Sequence, residues 1–116
     1  MATIKSYSDL EQSRKLTEIL PRKSADMHYT RAHFEGNKSD WFIGIGKPIK
    51  SDDIIPAWSL SALLSVLPEI QGGKPAISLD DNYITYPHMS DLHTKADNLI
   101  DACYEIIIKL NELKML

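Results

Sequence analysis

The apolar pattern near the carboxyl end limits the fold more than any other feature of the chain. Asn98 is a good N-cap, and Asp101 stands in the first turn of the following segment, where the helix dipole favours an anion. The apolar positions then recur at the i, i+3, i+4, i+7 spacing of an amphipathic helix; they are Leu99, Ala102, Cys103, Ile106, Ile107, Leu110 and Leu113. We therefore predict a long final helix with one face in the core.

The same helix carries a second apolar stripe. Ile100, Tyr104 and Ile108 climb one side, and at about 100° per residue Ile108 comes nearly opposite Ile106. Two stripes indicate burial from two directions, so either another helix of the chain or a partner covers the second one. We therefore name Ile100, Tyr104 and Ile108 as a candidate interface for self-association. If they form one, Ile108→Glu leaves a folded monomer.

Local signals predict the remaining elements. Ser8-Asp9-Leu10-Glu11 matches a capping box, and Pro21 ends the helix that follows it. Ser59 is a good N-cap for a second helix, with Trp58 and Leu63 placed as a hydrophobic staple. The other predicted elements are a helix over 9–20, strands over 26–34 and 41–46 separated by a turn at 36–40, a surface loop over 47–55, a turn at 71–74, and strands over 76–80, 83–86 and 92–96.

Chain length and element order together define the expected fold class. A chain of 116 residues suits one compact domain, here 1–116, because two independent cores would each be very small. We expect an α+β domain with an antiparallel sheet of about four to five strands and three helices, in the approximate order αββαβββα. The sequence leaves open whether the two halves of the chain share one sheet.

Composition excludes several classes of protein. Hydrophobic residues make up 43% and charged residues 25% of the chain, which is typical of a globular protein. The single cysteine, Cys103, excludes an internal disulfide framework and favours a reducing compartment. Because residues 1–20 contain no uninterrupted apolar stretch, we expect no signal sequence, and no run of eighteen apolar residues occurs in the given sequence. We expect a cytoplasmic protein without a membrane partner.

The charge balance disfavours nucleic acid as a partner. Sixteen acidic residues against thirteen basic ones give a net charge of −3, whereas proteins that grip a phosphate backbone usually present a basic face. Net charge is blind to distribution, so a local patch stays open. It would require Arg22, Lys23, Lys47 and Lys50 to gather on one face.

Three stretches of the chain resemble a known family. They are IPAWSLSALL at 55–64, ADNLIDAC at 96–103 and SADM at 24–27, the last after a first helix that contains Glu11, Gln12 and Ser13. The chain is similar, roughly from Leu10 to Leu116, to short uncharacterised bacterial proteins found near prophage or mobile-element genes. That resemblance implies a phage-related or mobile-element context and no particular activity.

Candidate catalytic and metal-binding residues have simpler explanations. The histidines form two pairs, His28 with His33 and His88 with His93, whose five-residue spacing fits neither a helical nor an alternate-strand pair of ligands. Cys103 lies on the core face of its helix, where cysteine acts as a small apolar group. We therefore predict no metal, no cofactor and no catalytic residue.

Three further groups of residues also favour structural roles. Asp52-Asp53 and Asp80-Asp81 stand beside turn signals, where aspartate is common for backbone reasons. Gly44-Ile45-Gly46 precedes a proline and not a helix, which argues against a phosphate cradle. An aromatic binding surface stays open; its candidates are Trp41, Trp58, Tyr83 and Tyr86, although Tyr83 and Tyr86 fall on opposite faces of one strand.

From Ser59 onward the order αβββα is that of double-stranded-RNA-binding domains, but Asp97, Asn98 and Asp101 stand where those domains need basic residues. The leading hypothesis is a non-enzymatic interaction or accessory module that self-associates. Two alternatives remain open. One is a small-ligand binder or enzyme with a site near the 47–55 loop, converging on His28, His33 or Asp52. The other is a nucleic-acid-binding module.

Overall fold

The computed structural model describes residues 5–34, 38–87 and 89–116, and its contacts divide the chain into two compact units. One unit is Tyr7–Ala62, and the other is Met1–Ser6 with Leu63–Leu116. Within the described residues the helices are α1 (Leu10–Ile19), α2 (Leu60–Ser65) and α3 (Leu99–Glu112), with a 3-10 turn over Arg22–Ser24. The strands are β1 (Met27–Phe34), β2 (Lys38–Ile45), β3 (Ile54–Ala57), β4 (Ala76–Ser78), β5 (Tyr83–Tyr86) and β6 (Met89–Lys95).

The α+β class and the three helices are confirmed, whereas the described strands number six and not four to five. The described strands form two antiparallel sheets of three, in the orders β2-β1-β3 and β4-β5-β6. The additional strand is β3, whose first half falls in the stretch expected to be a surface loop. The predicted hairpin between β4 and β5 is present, and Asn82 in its turn has a φ of 51°.

The polar composition of 47–55 and its Pro48 predict a loop, yet β3 begins inside that stretch and includes Pro56. A proline removes a ladder donor, so it is tolerated on an edge strand where its nitrogen points away from the neighbouring strand. Arg31 N–H donates to Asp53 O at 2.9 Å, and Pro56 lies opposite His28. Because ladder positions alternate, Pro56 occupies a position whose nitrogen faces away from β1. The edge strand therefore loses no hydrogen bond to the proline.

The first helix begins one residue later than the capping box predicted. Asp9, not Ser8, is the N-cap: its carboxylate accepts from Gln12 N–H at 2.7 Å, and Gln12 Oε1 accepts from Asp9 N–H at 3.1 Å. A capping box is present, but with Asp9 and Gln12 in place of Ser8 and Glu11.

Ser8 is instead a buried junction in the Tyr7–Ala62 unit. Its N–H donates to Trp58 O at 2.9 Å, and its Oγ accepts from Trp58 N–H at 3.1 Å. Its carbonyl accepts from Tyr29 Oη at 2.9 Å, and its Oγ lies 2.7 Å from Ser13 Oγ. These bonds join the start of α1, the end of β3 and the middle of β1, so every polar group of this buried residue is used.

Trp58 stands at the centre of the same unit. Its side chain is 0% exposed, and its indole Nε1 donates to Ser24 Oγ at 3.0 Å. Ser59 follows it and caps α2 as predicted, accepting from Ala62 N–H at 3.2 Å. Asp26, directly before β1, binds this serine. Its carboxylate accepts from Ser59 N–H at 2.9 Å and from Ser59 Oγ at 2.5 Å.

In the other unit, α3 packs against β5 and β6. The described buried residues of α3 are Ile100, Ala102, Cys103, Ile106, Ile107 and Leu110. Asn98 caps the helix as predicted, since its Oδ1 accepts from Asp101 N–H at 2.8 Å, and Lys5 pairs with Asp101 at 2.7 Å. Thr94 of β6 donates its hydroxyl to Ala102 O at 2.7 Å, which satisfies a buried polar side chain.

Among the described helices, none combines the length and the apolarity needed to cross a bilayer.

Candidate interaction surface

The edge of β2 is the first component of the surface. Gly46 N–H donates to Asp26 O, which shows that every second residue before it, including Gly44 and Phe42, directs its backbone groups to β1. The intervening Trp41, Ile43 and Ile45 direct theirs to the opposite edge. No strand within residues 5–34, 38–87 and 89–116 pairs with that edge. An open strand edge is a template for another strand.

Exposed apolar side chains lie on β2 and just beyond it. Ile45 is 90% exposed and Phe42 is 51% exposed, and Ile49 in the following loop is 67% exposed. Side chains alternate between the two faces of a strand, so Phe42 and Ile45 flank the open edge from opposite faces of β2. Apolar side chains on both sides of an open edge suit a partner strand. Sequence reasoning missed this feature, although Ile45 and Ile49 flank Pro48 in a polar stretch.

Two glycines shape the end of β2. A Cβ on Gly44 would lie 3.0 Å from His28 Nε2, so the imidazole ring on β1 occupies the space that a side chain would need. His28 Nδ1 donates to Gly46 O at 3.0 Å, and Gly46 has a φ of +122°, which L-residues rarely adopt. The Gly-x-Gly spacing therefore serves the packing of His28 and the exit of the chain from the strand.

A cluster of cationic residues forms the second component. Arg22 Nη1 donates to Ile49 O at 3.0 Å, and Lys47 Nζ donates to Lys23 O at 3.4 Å. These two bonds bring the 3-10 turn against the 46–50 loop, where Lys50 is also exposed. The sequence made nucleic-acid binding conditional on a basic patch of Arg22, Lys23, Lys47 and Lys50. These residues belong to two adjoining segments, the 3-10 turn and the 46–50 loop. Asp52 follows shortly after that loop and lowers the local charge.

Trp41 is held between two guanidinium groups. The Arg31 guanidinium carbon lies 5.2 Å and that of Arg14 lies 5.8 Å from the centroid of its ring, within cation–π range. Arg31 Nε and Nη2 also donate to Asp53 Oδ1 at 3.1 and 3.0 Å. Asp53 is therefore engaged by an arginine, which agrees with a structural role for the Asp52-Asp53 pair.

The aromatic binding surface left open by the sequence does not assemble from its four candidates. Trp58 and Tyr86 are buried, and Tyr86 Oη donates to Pro68 O at 2.8 Å. Tyr83 stacks on His93 with ring centroids 5.9 Å apart. Tyr83 and Tyr86 lie on opposite faces of β5, as predicted. Trp41 remains the one candidate of the four beside the open edge of β2.

The residues named as a candidate interface on α3 differ in exposure. Ile100 is 0% exposed, whereas Tyr104 and Ile108 are partly exposed. Ile100 is therefore a core residue of this structure, and Leu113, expected in the core, is exposed. An interface through Tyr104 and Ile108 remains a prediction.

The histidines do not gather where their side chains are described. His28 is on β1 and bonds Gly46, while His93 is on β6 and stacks on Tyr83. The His33 side chain and His88 lie outside the described residues. Among the side chains that are described, no group of three or more His, Cys, Asp or Glu residues is placed to hold a metal ion.

Burial raises the pKa of three groups. It raises the pKa of the Cys103 thiol from 9.0 to about 12, so the thiol stays protonated at neutral pH. Burial likewise raises the pKa of Tyr86 to about 12, and burial, with smaller contributions from Tyr7 and Asp9, raises that of Tyr29 to about 12. A protonated, buried thiol agrees with the role of a small apolar group.

Comparison with known proteins finds no matching family model, no matching curated protein and no matching solved structure. The resemblance to proteins of prophage and mobile-element neighbourhoods therefore stays a prediction.

Proposed function

We propose that the protein is a non-enzymatic interaction module that binds a protein partner through β2 and the 46–50 loop. The observation that carries the proposal is the open edge of β2, flanked by the exposed side chains of Phe42, Ile45 and Ile49. Backbone groups at such an edge supply affinity when another strand adds to it, and flanking side chains supply selectivity. A cytoplasmic accessory role in phage or mobile-element biology, with self-association, belongs to the same proposal.

A photo-crosslinking experiment in the native host tests this proposal. We expect p-benzoylphenylalanine in place of Ile45 to capture a protein, because that position is the most exposed apolar side chain at the edge. The matched control replaces Glu18, whose side chain is 69% exposed on α1. A third variant replaces Tyr104 on the stripe of α3. Capture at position 45 above the Glu18 background supports the proposal, and capture at Tyr104 alone contradicts it.

Nucleic-acid binding is the second candidate, and one observation favours it. Arg22, Lys23 and Lys47 come together beside the same loop, which gives the acidic chain a local basic surface. Phosphate contacts release counterions, so such binding weakens steeply with salt. If nucleic acid is the partner, the product captured at position 45 is sensitive to nuclease and its yield falls as salt rises. A nuclease-resistant product that contains peptide favours the protein partner.

A further inference from the structure

We propose that the partner at the edge of β2 is a second copy of this chain, paired with its own β2 antiparallel and in a register centred on Ile43. This inference rests on the proposed interaction function and names its partner. The paired sheet would contain six strands in the order β3-β1-β2, followed by the same three from the second copy in reverse. Such an interface is isologous, because each copy offers the same surface.

The backbone restricts the register. Directly opposite residues of an antiparallel pair share one face of the sheet, and the groups that point to the open edge belong to Trp41, Ile43 and Ile45. A symmetric pairing must match residues of this set with one another. Its centre therefore falls on a residue and not between two residues.

Side-chain size selects among the registers that remain. With the centre on Ile43, Trp41 lies opposite Ile45 of the second copy and Phe42 lies opposite its Gly44. Trp41 then meets a smaller side chain, and Phe42 lies beside the His28 ring that fills the space over Gly44. A centre on Phe42 would instead set two phenylalanines opposite each other and leave Ile45 opposite Ser39. Only the first register covers the most exposed apolar side chain of the strand with an aromatic one.

Charge supports the same register. Asp40 is exposed near the start of β2, and Lys47 is exposed just after its end. Pairing about Ile43 sets Asp40 opposite Gly46 of the second copy, next to its Lys47. Consecutive residues point to opposite faces of a strand, so the two charges lie near each other at each end of the paired strands without facing one another. Complementary charges at a rim fix register and discriminate against other pairings.

Sedimentation velocity of the full chain tests the inference, from about 1 to about 200 µM. We expect the wild-type protein to sediment with twice the 13.1 kDa mass of one chain. Ile45→Lys should weaken association by about 100-fold or more, because a lysine on the edge strand enters the interface twice. The matched control is Leu79→Lys, which makes an equivalent change at an exposed apolar residue of the other compact unit and should leave association intact. Far-ultraviolet circular dichroism verifies that both variants are folded.

The other outcomes overturn the inference. They are a wild-type monomer throughout the concentration range, an Ile45→Lys variant that associates like the wild type, equal losses in Ile45→Lys and Leu79→Lys, and growth beyond a dimer. A monomer whose position 45 still captures another protein in cells would refute the second copy while retaining the proposed function. The absence of both would refute both.

Disulfide trapping tests the register. In the Ile43-centred pairing, Ile43 lies opposite itself, so Ile43→Cys should form a crosslinked dimer under mild oxidation, since opposite residues bring Cα atoms within disulfide range. Trp41→Cys is the control, because position 41 lies opposite position 45 and should not crosslink. Crosslinking through Phe42→Cys and not through Ile43→Cys would overturn the register.

Discussion

We expect Trp58→Ala to lower the free energy of unfolding by about 3–5 kcal/mol. The indole is 0% exposed, and its Nε1 donates to Ser24 Oγ in the 3-10 turn. Removing it leaves a cavity and takes one hydrogen bond from Ser24 Oγ, which still donates to Pro21 O, while the backbone bonds with Ser8 remain available. Because small domains are stable by only about 5–15 kcal/mol, this loss is a large part of the total. Urea denaturation followed by circular dichroism measures it.

Trp58→Phe is the matched control for this prediction. Phenylalanine keeps much of the ring but loses the N–H donor to Ser24, so we expect a loss of about 1–2 kcal/mol, clearly smaller than that of the alanine variant. If the free energy of unfolding of Trp58→Ala lies within about 1 kcal/mol of that of the wild type, the indole is not a main support of this core.

The second large effect concerns α3. We expect Ile100→Ala to lower the free energy of unfolding by about 2–5 kcal/mol, because its side chain is 0% exposed. Ile108→Ala is the control, and its partly exposed side chain should cost less than half as much. Thermal and urea unfolding of the pair measure the difference. Equal losses would show that both stripes of the helix lie in the core.

Ile108→Glu distinguishes an interface on α3 from an interface on β2. A stripe that dimerises through α3 predicts a folded monomer for this variant. Association through β2 predicts a folded dimer, because Ile108 belongs to the other compact unit and not to the strand. The same sedimentation experiment that compares Ile45→Lys with Leu79→Lys therefore separates the two surfaces.

Local patterns were sufficient to predict several elements. The bounds of β5 agree with the prediction, and α3 begins at its Asn98 cap. In both cases the signal lies within a few neighbouring residues: a turn with Asn82, or a cap followed by apolar residues at helical spacing. Periodicity also indicated two apolar stripes on α3, but it did not show that Ile100 is buried.

Tertiary contacts explain the failures. Ser8 and Asp9 are adjacent candidates for the N-cap of α1, and Trp58, fifty residues away, engages Ser8 and leaves the cap to Asp9. The cationic cluster depends likewise on Arg22 reaching Ile49 across 27 residues. No local sequence pattern contains such contacts, so the candidate surface could not be predicted from the sequence alone.

Amide hydrogen exchange of β2, read by nuclear magnetic resonance, tests the central claim most directly. The N–H groups of Phe42 and Gly44 point to β1 and should be protected at every protein concentration. Those of Trp41, Ile43 and Ile45 point to the open edge. We expect these three N–H groups to become protected as protein concentration rises and a second copy adds to the strand. Fast exchange of all three at every concentration, in a sample that still associates, would contradict it.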